Sequence, residues 1–222
     1  MNDSQEELIE FLVTHKALQF GEFTLKSGRK SPYYYNIRNL ATGEAISKIA
    51  SVYAQKIMDE NLEPDVLFGP AYAGIPLAVA TALHLNDHHD QNVRFAFDRK
   101  EVKKYGDQNT NALIGSLQEG DRVLIIDDMM TTGGTKLEAK QKIQSFADVD
   151  VIGILISFDR MEKDDQGVYA AKALKDQGLP VYSILDAPSV FEFLHNQEIG
   201  GAIHVTDEHF AAFQAYRKQY GV

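Results

Sequence analysis

Short apolar runs that alternate with longer amphipathic segments are the feature of this sequence that most restricts its fold. Turn residues flank each run, and the runs are too short to be helices. Five of them are predicted to be strands, at residues 66–68, 93–97, 123–126, 151–156 and 181–185. Three intervening segments can hold crossover helices, at residues 76–83, 136–146 and 167–177. This alternation predicts an α/β fold with a central, mostly parallel sheet flanked by helices.

The two ends of the chain are expected to add elements over one edge of this sheet. Ser4 and Glu7 have the spacing of a capping box, and apolar residues then recur at helical intervals, so a helix is predicted to open the chain. Another helix is predicted near residues 45–57. No long Gly/Ser/Pro-rich or single-sign run divides the 222 residues, and we therefore expect one domain, 1–222.

Composition and charge exclude several classes of function. The net charge of −10 argues against a surface that binds nucleic acid or anionic lipid. The chain has no cysteine, so disulfides, thiolate metal sites and cysteine nucleophiles are excluded. The acidic N-terminus lacks the apolar core of a signal peptide, and no apolar stretch approaches the roughly 18 residues of a membrane span, so we expect a cytoplasmic protein. His88 and His89 are expected in a polar loop, and no metal site is predicted.

The residues after the apolar run 123–126 have the character of an anion-binding loop. Two acids, Asp127 and Asp128, come first, and the segment Thr131, Thr132, Gly133, Gly134 and Thr135 then leads into a predicted helix. Glycines allow the backbone N–H groups to turn inward, threonine hydroxyls add donors, and the helix start contributes a positive dipole end. The alternative is a glycine-rich turn capped by two acids. The P-loop and dinucleotide-binding patterns are both absent.

At these residues the sequence resembles the type I phosphoribosyltransferases, which bind phosphoribosyl pyrophosphate (PRPP). The resemblance implies the fold of that family, with a small hood formed from the N-terminal (about 1–60) and C-terminal segments. It also implies that Asp127 and Asp128 hold the ribose hydroxyls. The loop that binds the 5-phosphate would comprise Met129, Met130, Thr131, Thr132, Gly133, Gly134 and Thr135.

A basic segment at residues 99–111 stands out in this acidic chain. It has no apolar periodicity and follows a predicted strand, so we expect a long, mobile, exposed loop. Arg99, Lys100, Lys103 and Lys104 cluster at its start, which favours a densely charged anionic ligand such as pyrophosphate. A solvated run of charges is the alternative.

Three further segments, at residues 25–36, 68–76 and 157–162, resemble those of the orotate phosphoribosyltransferase family. That resemblance covers nearly the whole chain and implies orotate contacts from Lys26, Tyr34, Tyr35, Thr131 and Arg160. An arginine fork suits a planar carboxylate. Without the resemblance, the tyrosines would be read as packing residues and the arginine as part of a surface ion pair. Lys26, Lys100, Lys103, Asp127 and Asp128 are the implied catalytic residues.

The side of the site that would bind pyrophosphate departs from the family pattern. The resemblance assigns PRPP contacts to Tyr72, Ala73, Arg99, Lys100, Lys103 and Tyr105. The family commonly has lysine in place of Ala73 and histidine in place of Tyr105. Both changes remove a possible cation near pyrophosphate, and a tyrosine with a pKa near 10 is a poor proton shuttle at neutral pH.

The resemblance further implies a reaction and its partners. Phosphoribose would pass from PRPP to orotate, giving orotidine 5′-phosphate and pyrophosphate for pyrimidine (UMP) synthesis. Mg²⁺ would be carried mainly by pyrophosphate oxygens, and a homodimer would share the basic loop between subunits. Two alternatives stay open, a transferase for another base and a regulator that senses PRPP without turnover. The acidic charge and the retained Lys100 and Lys103 count against the regulator.

Overall fold

The computed structural model describes residues 1–25, 27–99, 113–130 and 134–222, and for residues 134 and 135 it describes the backbone alone. The helices are α1 (Asp3–Thr14), α2 (Gly43–Asp59), α3 (Gly74–His89), α4 (Gly134–Gln144), α5 (Ala170–Asp176), α6 (Ala187–Leu194) and α7 (Asp207–Tyr220). The strands are β1 (Leu18–Thr24), β2 (Lys30–Tyr35), β3 (Val66–Gly69), β4 (Arg94–Asp98), β5 (Leu113–Gly115), β6 (Arg122–Met129), β7 (Asp150–Asp159), β8 (Val181–Asp186), β9 (Glu198–Ile199) and β10 (Ala202–Ile203).

A six-stranded sheet lies at the centre, in the order β5-β4-β3-β6-β7-β8. All neighbouring strands are parallel except β4 and β5, which are antiparallel. The five predicted strands correspond to β3, β4, β6, β7 and β8, and the predicted crossover helices to α3, α4 and α5. The α/β prediction with a mostly parallel sheet is therefore confirmed.

Both faces of the sheet are buried, because successive residues of its central strands enter different apolar layers. Leu124 and Ile126 pack in the layer that includes α2 and α3, whereas Val123 and Ile125 pack in the layer that includes α4 and α5. All four side chains are fully buried. A strand covered on both sides needs apolar residues at every position, which explains why this run shows no polar alternation.

The two termini meet at one side of the sheet. Strands β1 and β2 form an antiparallel hairpin, and α7 packs against β2. The ring of Tyr33 on β2 contacts those of Phe191 on α6 and Phe213 on α7, with centroids 5.4 and 6.1 Å away. Helix α2 packs instead on α3. The additional elements expected from the chain ends therefore form this cluster of β1, β2, α6 and α7, which we call the hood.

Two local predictions were wrong. Helix α1 is capped by Asn2, whose side chain accepts from the Gln5 backbone N–H at 2.9 Å while Gln5 Oε1 accepts from the Asn2 N–H at 3.1 Å. Ser4 and Glu7 are thus inside the helix. His88 and His89, expected in a loop, form the last turn of α3. Within the described part of the chain, no helix is long and apolar enough to cross a membrane.

Candidate active site

The acid pair lies at the carboxyl end of the central strand β6. Asp127 and Asp128 were expected just after the strand, but β6 continues through them to Met129, which pairs with Phe158 of β7. Pairing with β7 holds the backbone of both acids in the sheet. In an open α/β sheet, ligands bind beyond the carboxyl ends of the strands, so the pair is placed where the fold accepts a ligand.

Buried hydroxyls hold the backbone of both acids. Tyr53 Oη on α2 donates to the Asp127 carbonyl at 2.7 Å, and Ser157 Oγ on β7 donates to the Asp128 carbonyl at 2.6 Å. Because the Ser157 proton is used in that bond, Tyr35 Oη donates to Ser157 Oγ, at 2.5 Å. The side chains of these three residues are buried, and burial raises the pKa of the Tyr35 and Tyr53 hydroxyls. They stay protonated as donors and hold the backbone from which both carboxylates project.

The two carboxylates have different surroundings. Asp127 accepts the Asp128 N–H at Oδ1, 2.9 Å away, and pairs through Oδ2 with the ammonium of Lys136. Asp128 accepts the Met129 N–H at Oδ1, 2.8 Å away. Burial, reinforced by the charge of Asp127, raises the pKa of Asp128 to about 6, while Lys136 and the Met129 N–H act in the opposite direction. Asp128 is therefore ionised at neutral pH but close to protonation in weak acid.

The predicted phosphate loop is described only at its two ends. Met129 closes β6, and the Met130 side chain is buried in the core with 7% exposure, so Met130 can offer a ligand only its backbone. Gly134 begins helix α4, which starts beside the acid pair. A helix start carries free N–H groups and a positive dipole end, which suits a phosphate.

The loop at residues 70–74, which contains the predicted PRPP contacts Tyr72 and Ala73 and the first residue of α3, packs against β6. A Cβ placed on Gly74 would lie 2.6 Å from the Ile126 carbonyl oxygen, so only glycine allows this approach. Asp98 at the end of β4 accepts the Ala71 N–H at 2.8 Å and is held by Lys142 of α4 at 2.7 Å. These contacts bring the loop and the acid pair to one edge of the sheet.

The side chains within this loop are uncharged. Tyr72 is 65% exposed, and Ala73 immediately precedes α3. Arg99 follows β4, and its carbonyl accepts from Lys142 Nζ at 3.3 Å. The predicted pyrophosphate contacts Tyr72, Ala73 and Arg99 are therefore on neighbouring segments of the same edge.

Tyr34 and Tyr35 point to opposite sides of β2, as successive residues of a strand do. Tyr35 is 4% exposed and stacks on Phe158, with ring centroids 4.9 Å apart. Tyr34 is 38% exposed and stacks on Phe23 at 5.5 Å. Only Tyr34 thus presents a large exposed surface, while Tyr35 connects to the acid pair through Ser157.

Arg160 follows β7 and is buried among residues of the hood. Nε donates to Glu162 Oε1 at 2.8 Å, and Nη2 donates to Ser31 Oγ at 2.9 Å and Tyr216 Oη at 3.3 Å. The guanidinium also lies 4.2 Å from the centroid of the Tyr33 ring. These bonds use the hydrogens of Nε and Nη2. Only the hydrogens of Nη1 are not used by these bonds, so a ligand cannot bind the full fork in this arrangement.

Seven predicted site residues lie outside the described residues: Lys26, Lys100, Lys103, Tyr105, Thr131, Thr132 and Gly133. Most of the expected loop at 99–111 lies outside them too, and for Thr135 only the backbone is described. Conversely, five residues that hold the site were not predicted: Tyr53, Asp98, Lys136, Lys142 and Ser157. Lys136 had a sequence signal, since it comes directly after the predicted phosphate loop.

No group of three or more His, Asp or Glu side chains could hold a metal ion among the residues that the structure describes. The two carboxylates of the acid pair are instead suited to hydroxyl donors, and one of them already has a lysine as counter-ion.

Comparison with known proteins assigns this chain to a family. Residues 36–179 match the model of the phosphoribosyl transferase domain. The chain is 45% identical to the orotate phosphoribosyltransferase of Bifidobacterium adolescentis, over 96% of this chain and 95% of that protein. It is 42% identical to that of Chromohalobacter salexigens, over 98% of this chain and 95% of that protein.

A solved structure supports the same assignment. The crystal structure of orotate phosphoribosyltransferase from Francisella tularensis superposes with a TM-score of 0.82, at 32% identity, and covers 97% of this chain and 100% of that one. The type I phosphoribosyltransferase fold expected from the sequence is thereby confirmed. By its sequence over nearly its full length and by its fold, the chain belongs to the orotate phosphoribosyltransferase family.

Proposed function

We propose that this protein transfers the 5-phosphoribosyl group of PRPP to N1 of orotate, giving orotidine 5′-phosphate and pyrophosphate. The observation that carries the proposal is the acid pair Asp127 and Asp128, fixed at the carboxyl end of β6 and directly ahead of the α4 N-terminus. It combines groups for ribose hydroxyls and for a phosphate within the eight residues from Asp127 to Gly134.

The chemistry follows from the charge at this place. The bond between ribose C1 and the pyrophosphate oxygen breaks, and the leaving oxygen keeps the electron pair. N1 of orotate forms the new bond and gives up its proton to solvent. Positive charge develops on the ribose ring as the old bond lengthens. The carboxylates of Asp127 and Asp128 would stabilise this positive charge. The backbone carbonyls of both acids are held by Tyr53 and Ser157, so the acid pair need not reorganise during the reaction.

The substrate contacts are assigned by family resemblance together with this geometry. The 5-phosphate would bind the segment 129–135, and the ribose hydroxyls would bind the acid pair. Pyrophosphate would lie towards Tyr72, Ala73 and Arg99, with Lys100, Lys103 and Tyr105 contributed by the basic segment. Orotate would contact Lys26, Tyr34, Tyr35, Thr131 and Arg160. Arg160 would reach the orotate carboxylate through Nη1.

Mg²⁺ would enter as part of the substrate complex, bound mainly by pyrophosphate oxygens and water. The described residues fit that arrangement, since the acid pair offers carboxylates to the ribose side of such a complex while Lys136 already compensates one of them. Mg²⁺ would neutralise part of the charge of the leaving pyrophosphate.

A panel of bases tests the proposed reaction. Purified protein is incubated with Mg²⁺, PRPP and one base at a time, and pyrophosphate release is followed for orotate, uracil, adenine, guanine and hypoxanthine. We expect turnover with orotate and little with the others. Turnover with a purine in place of orotate would contradict the proposal, and PRPP binding without turnover of any base would favour a regulator.

We further propose a homodimer that shares its active sites. Exposed apolar side chains lie on neighbouring elements: Tyr72 before α3, Leu83 on α3 with 61% exposure, and Phe95 on β4 with 40% exposure. Exposed apolar residues on elements that contact each other, as α3 and β4 do, favour an interface with another protein. A subunit packed there would bring its own basic segment towards this edge.

Mixing two inactive variants tests the shared site. Lys103→Ala removes a cation of the basic segment, and Asp128→Asn removes an acid of the pair. If each site uses the acids of one subunit and the basic segment of the other, exchanged subunits should recover about a quarter of wild-type turnover, because half the dimers then carry one intact site. Failure to recover activity, with exchange verified by mass spectrometry, would refute sharing.

A further inference from the structure

Helix α4 places a lysine next to the acid pair. Lys136 is the third residue of α4, and its Nζ forms a hydrogen-bonded ion pair with Oδ2 of Asp127. The residue is only 4% exposed. The reaction as proposed above gives this buried cation no task.

Burial of this ammonium is costly for the fold. An ammonium loses its hydration when it is buried, and an apolar side chain of similar volume can often replace a buried ion pair without loss of stability. Asp127 compensates the charge of Lys136 while no ligand is present. The ion pair is therefore poor evidence for a purely structural role and points to a use at the site.

Ligand binding would compete for the partner of Lys136. Both oxygens of Asp127 already accept a hydrogen bond, one from the Asp128 N–H and one from Lys136. A ribose hydroxyl that binds Asp127 would replace one of these hydrogen bonds. If it replaces the bond from Lys136, the ammonium loses its counter-ion and must bind another anion. Its flexible four-carbon stem and its rotatable donors allow the ammonium to turn to a nearby oxygen.

The loop at residues 70–74 indicates from which side an anion would approach Lys136. That loop runs against the Ile126 carbonyl, one residue before Asp127, and its own residues Pro70, Ala71, Tyr72, Ala73 and Gly74 are all uncharged. A diphosphate seated along this loop would meet the end of β6. Lys136, which is bonded to Asp127 at that end of β6, is a cation that the loop itself lacks.

We propose that Lys136 binds the pyrophosphate group of PRPP, after exchanging Asp127 for a phosphate oxygen when the ribose hydroxyls reach the acid pair. This inference rests on the proposed function, because it takes PRPP as the ligand. Lys136 then stabilises the charge that builds up on the leaving oxygen, and it returns to Asp127 when pyrophosphate departs.

The test compares two fragments of PRPP by calorimetry. Magnesium pyrophosphate carries the anion assigned to Lys136, whereas ribose 5-phosphate carries the hydroxyls and the other phosphate. Lys136→Met should weaken pyrophosphate binding about 10- to 100-fold, the worth of one charge-assisted hydrogen bond. Binding of ribose 5-phosphate should weaken clearly less. Lys140→Met is the matched control on the same helix, with the same change in net charge and no expected effect on either fragment.

A second variant excludes a folding artefact. Asp127→Asn combined with Lys136→Met removes both partners of the ion pair and leaves no uncompensated buried charge, and thermal unfolding verifies that it is folded. We expect it to bind pyrophosphate as weakly as Lys136→Met does. Wild-type affinity for pyrophosphate in either variant would overturn the proposal. So would an equal or larger loss for ribose 5-phosphate, because Lys136 would then act only by positioning Asp127.

The outcome is separable from that of the base panel. Selective loss of pyrophosphate binding in the Lys136 variants, in a protein that does not use orotate, would contradict the proposed base and leave the role of Lys136 standing. Turnover of orotate with unchanged pyrophosphate binding in the variants would do the reverse.

Discussion

Asp128→Asn should make the protein more stable at pH 8 while lowering its turnover at least about 100-fold, the typical cost of losing a preorganised charge that stabilises a transition state. The loss of activity follows because the carboxylate of Asp128 would face the positive charge that develops on the ribose. The gain in stability follows from the same burial. Charge on Asp128 is unfavourable in the folded protein, and asparagine carries none.

The sign of the pH dependence is set by the direction of the pKa shift. The pKa of Asp128 is raised from 3.8 to about 6, by burial first and by the charge of Asp127 second. Between these values the unfolded chain releases its proton before the folded protein does. The free energy of unfolding therefore falls as pH rises from about 4 to 6, by up to about 3 kcal/mol, and stays lowered above pH 6.

Thermal unfolding at several pH values measures this effect. Asp128→Asn should raise the melting temperature by several degrees at pH 8 and by much less at pH 4. Asp176→Asn is the control, since Asp176 is an exposed partner of Lys172 with 62% side-chain exposure, and it should change stability by less than about 0.5 kcal/mol at any pH. Equal stabilisation at pH 4 and pH 8 would show that the charge of Asp128 is not the cause.

Arg160→Lys should raise the KM for orotate about 10- to 100-fold and leave the KM for PRPP within about 3-fold, as expected for the loss of one charge-assisted hydrogen bond. Lysine keeps the positive charge but cannot bond Glu162, Ser31 and Tyr216 while still presenting a donor to a carboxylate. Arg160→Ala should in addition destabilise the protein by about 3–5 kcal/mol, because it removes one partner of a buried ion pair.

Arg29→Lys is a matched control for that experiment. Arg29 Nη1 lies 3.8 Å from Glu162 Oε2, and the guanidinium lies 4.6 Å from the centroid of the Tyr220 ring, so it packs in the same hood without an assigned ligand. Arg29→Lys should lower the free energy of unfolding and leave the KM for orotate unchanged. An equal rise in KM for orotate in both variants would mean that Arg160 acts on the hood rather than on the substrate.

The central sheet was predictable because its signal is local and strong. A strand covered on both faces must be apolar throughout, and the run at residues 123–126 meets that condition without an exception. The hairpin of β1 and β2 was missed, since the burial of β1 does not alternate regularly and a proline, Pro32, lies within β2. The α1 cap was misplaced because Asn2 and Ser4 are both good capping residues, and only the observed Asn2–Gln5 contacts decide between them.

The position of the two acids could be predicted from the sequence, whereas the residues that hold them could not. Asp127 and Asp128 come directly after an evident apolar run, whereas their supports come from distant parts of the chain. Tyr53 is 74 residues from Asp127, and Tyr35 is 122 residues from Ser157. No spacing in the sequence reveals such contacts, because they depend on how the elements pack. The same holds for Lys136, whose position was visible but whose inward direction was not.

The base panel tests the central claim most directly. With Mg²⁺ and PRPP present, orotate should be consumed and pyrophosphate released in equal amounts, with turnover that falls sharply in Asp128→Asn. Release of pyrophosphate with a purine but not with orotate would contradict the claim.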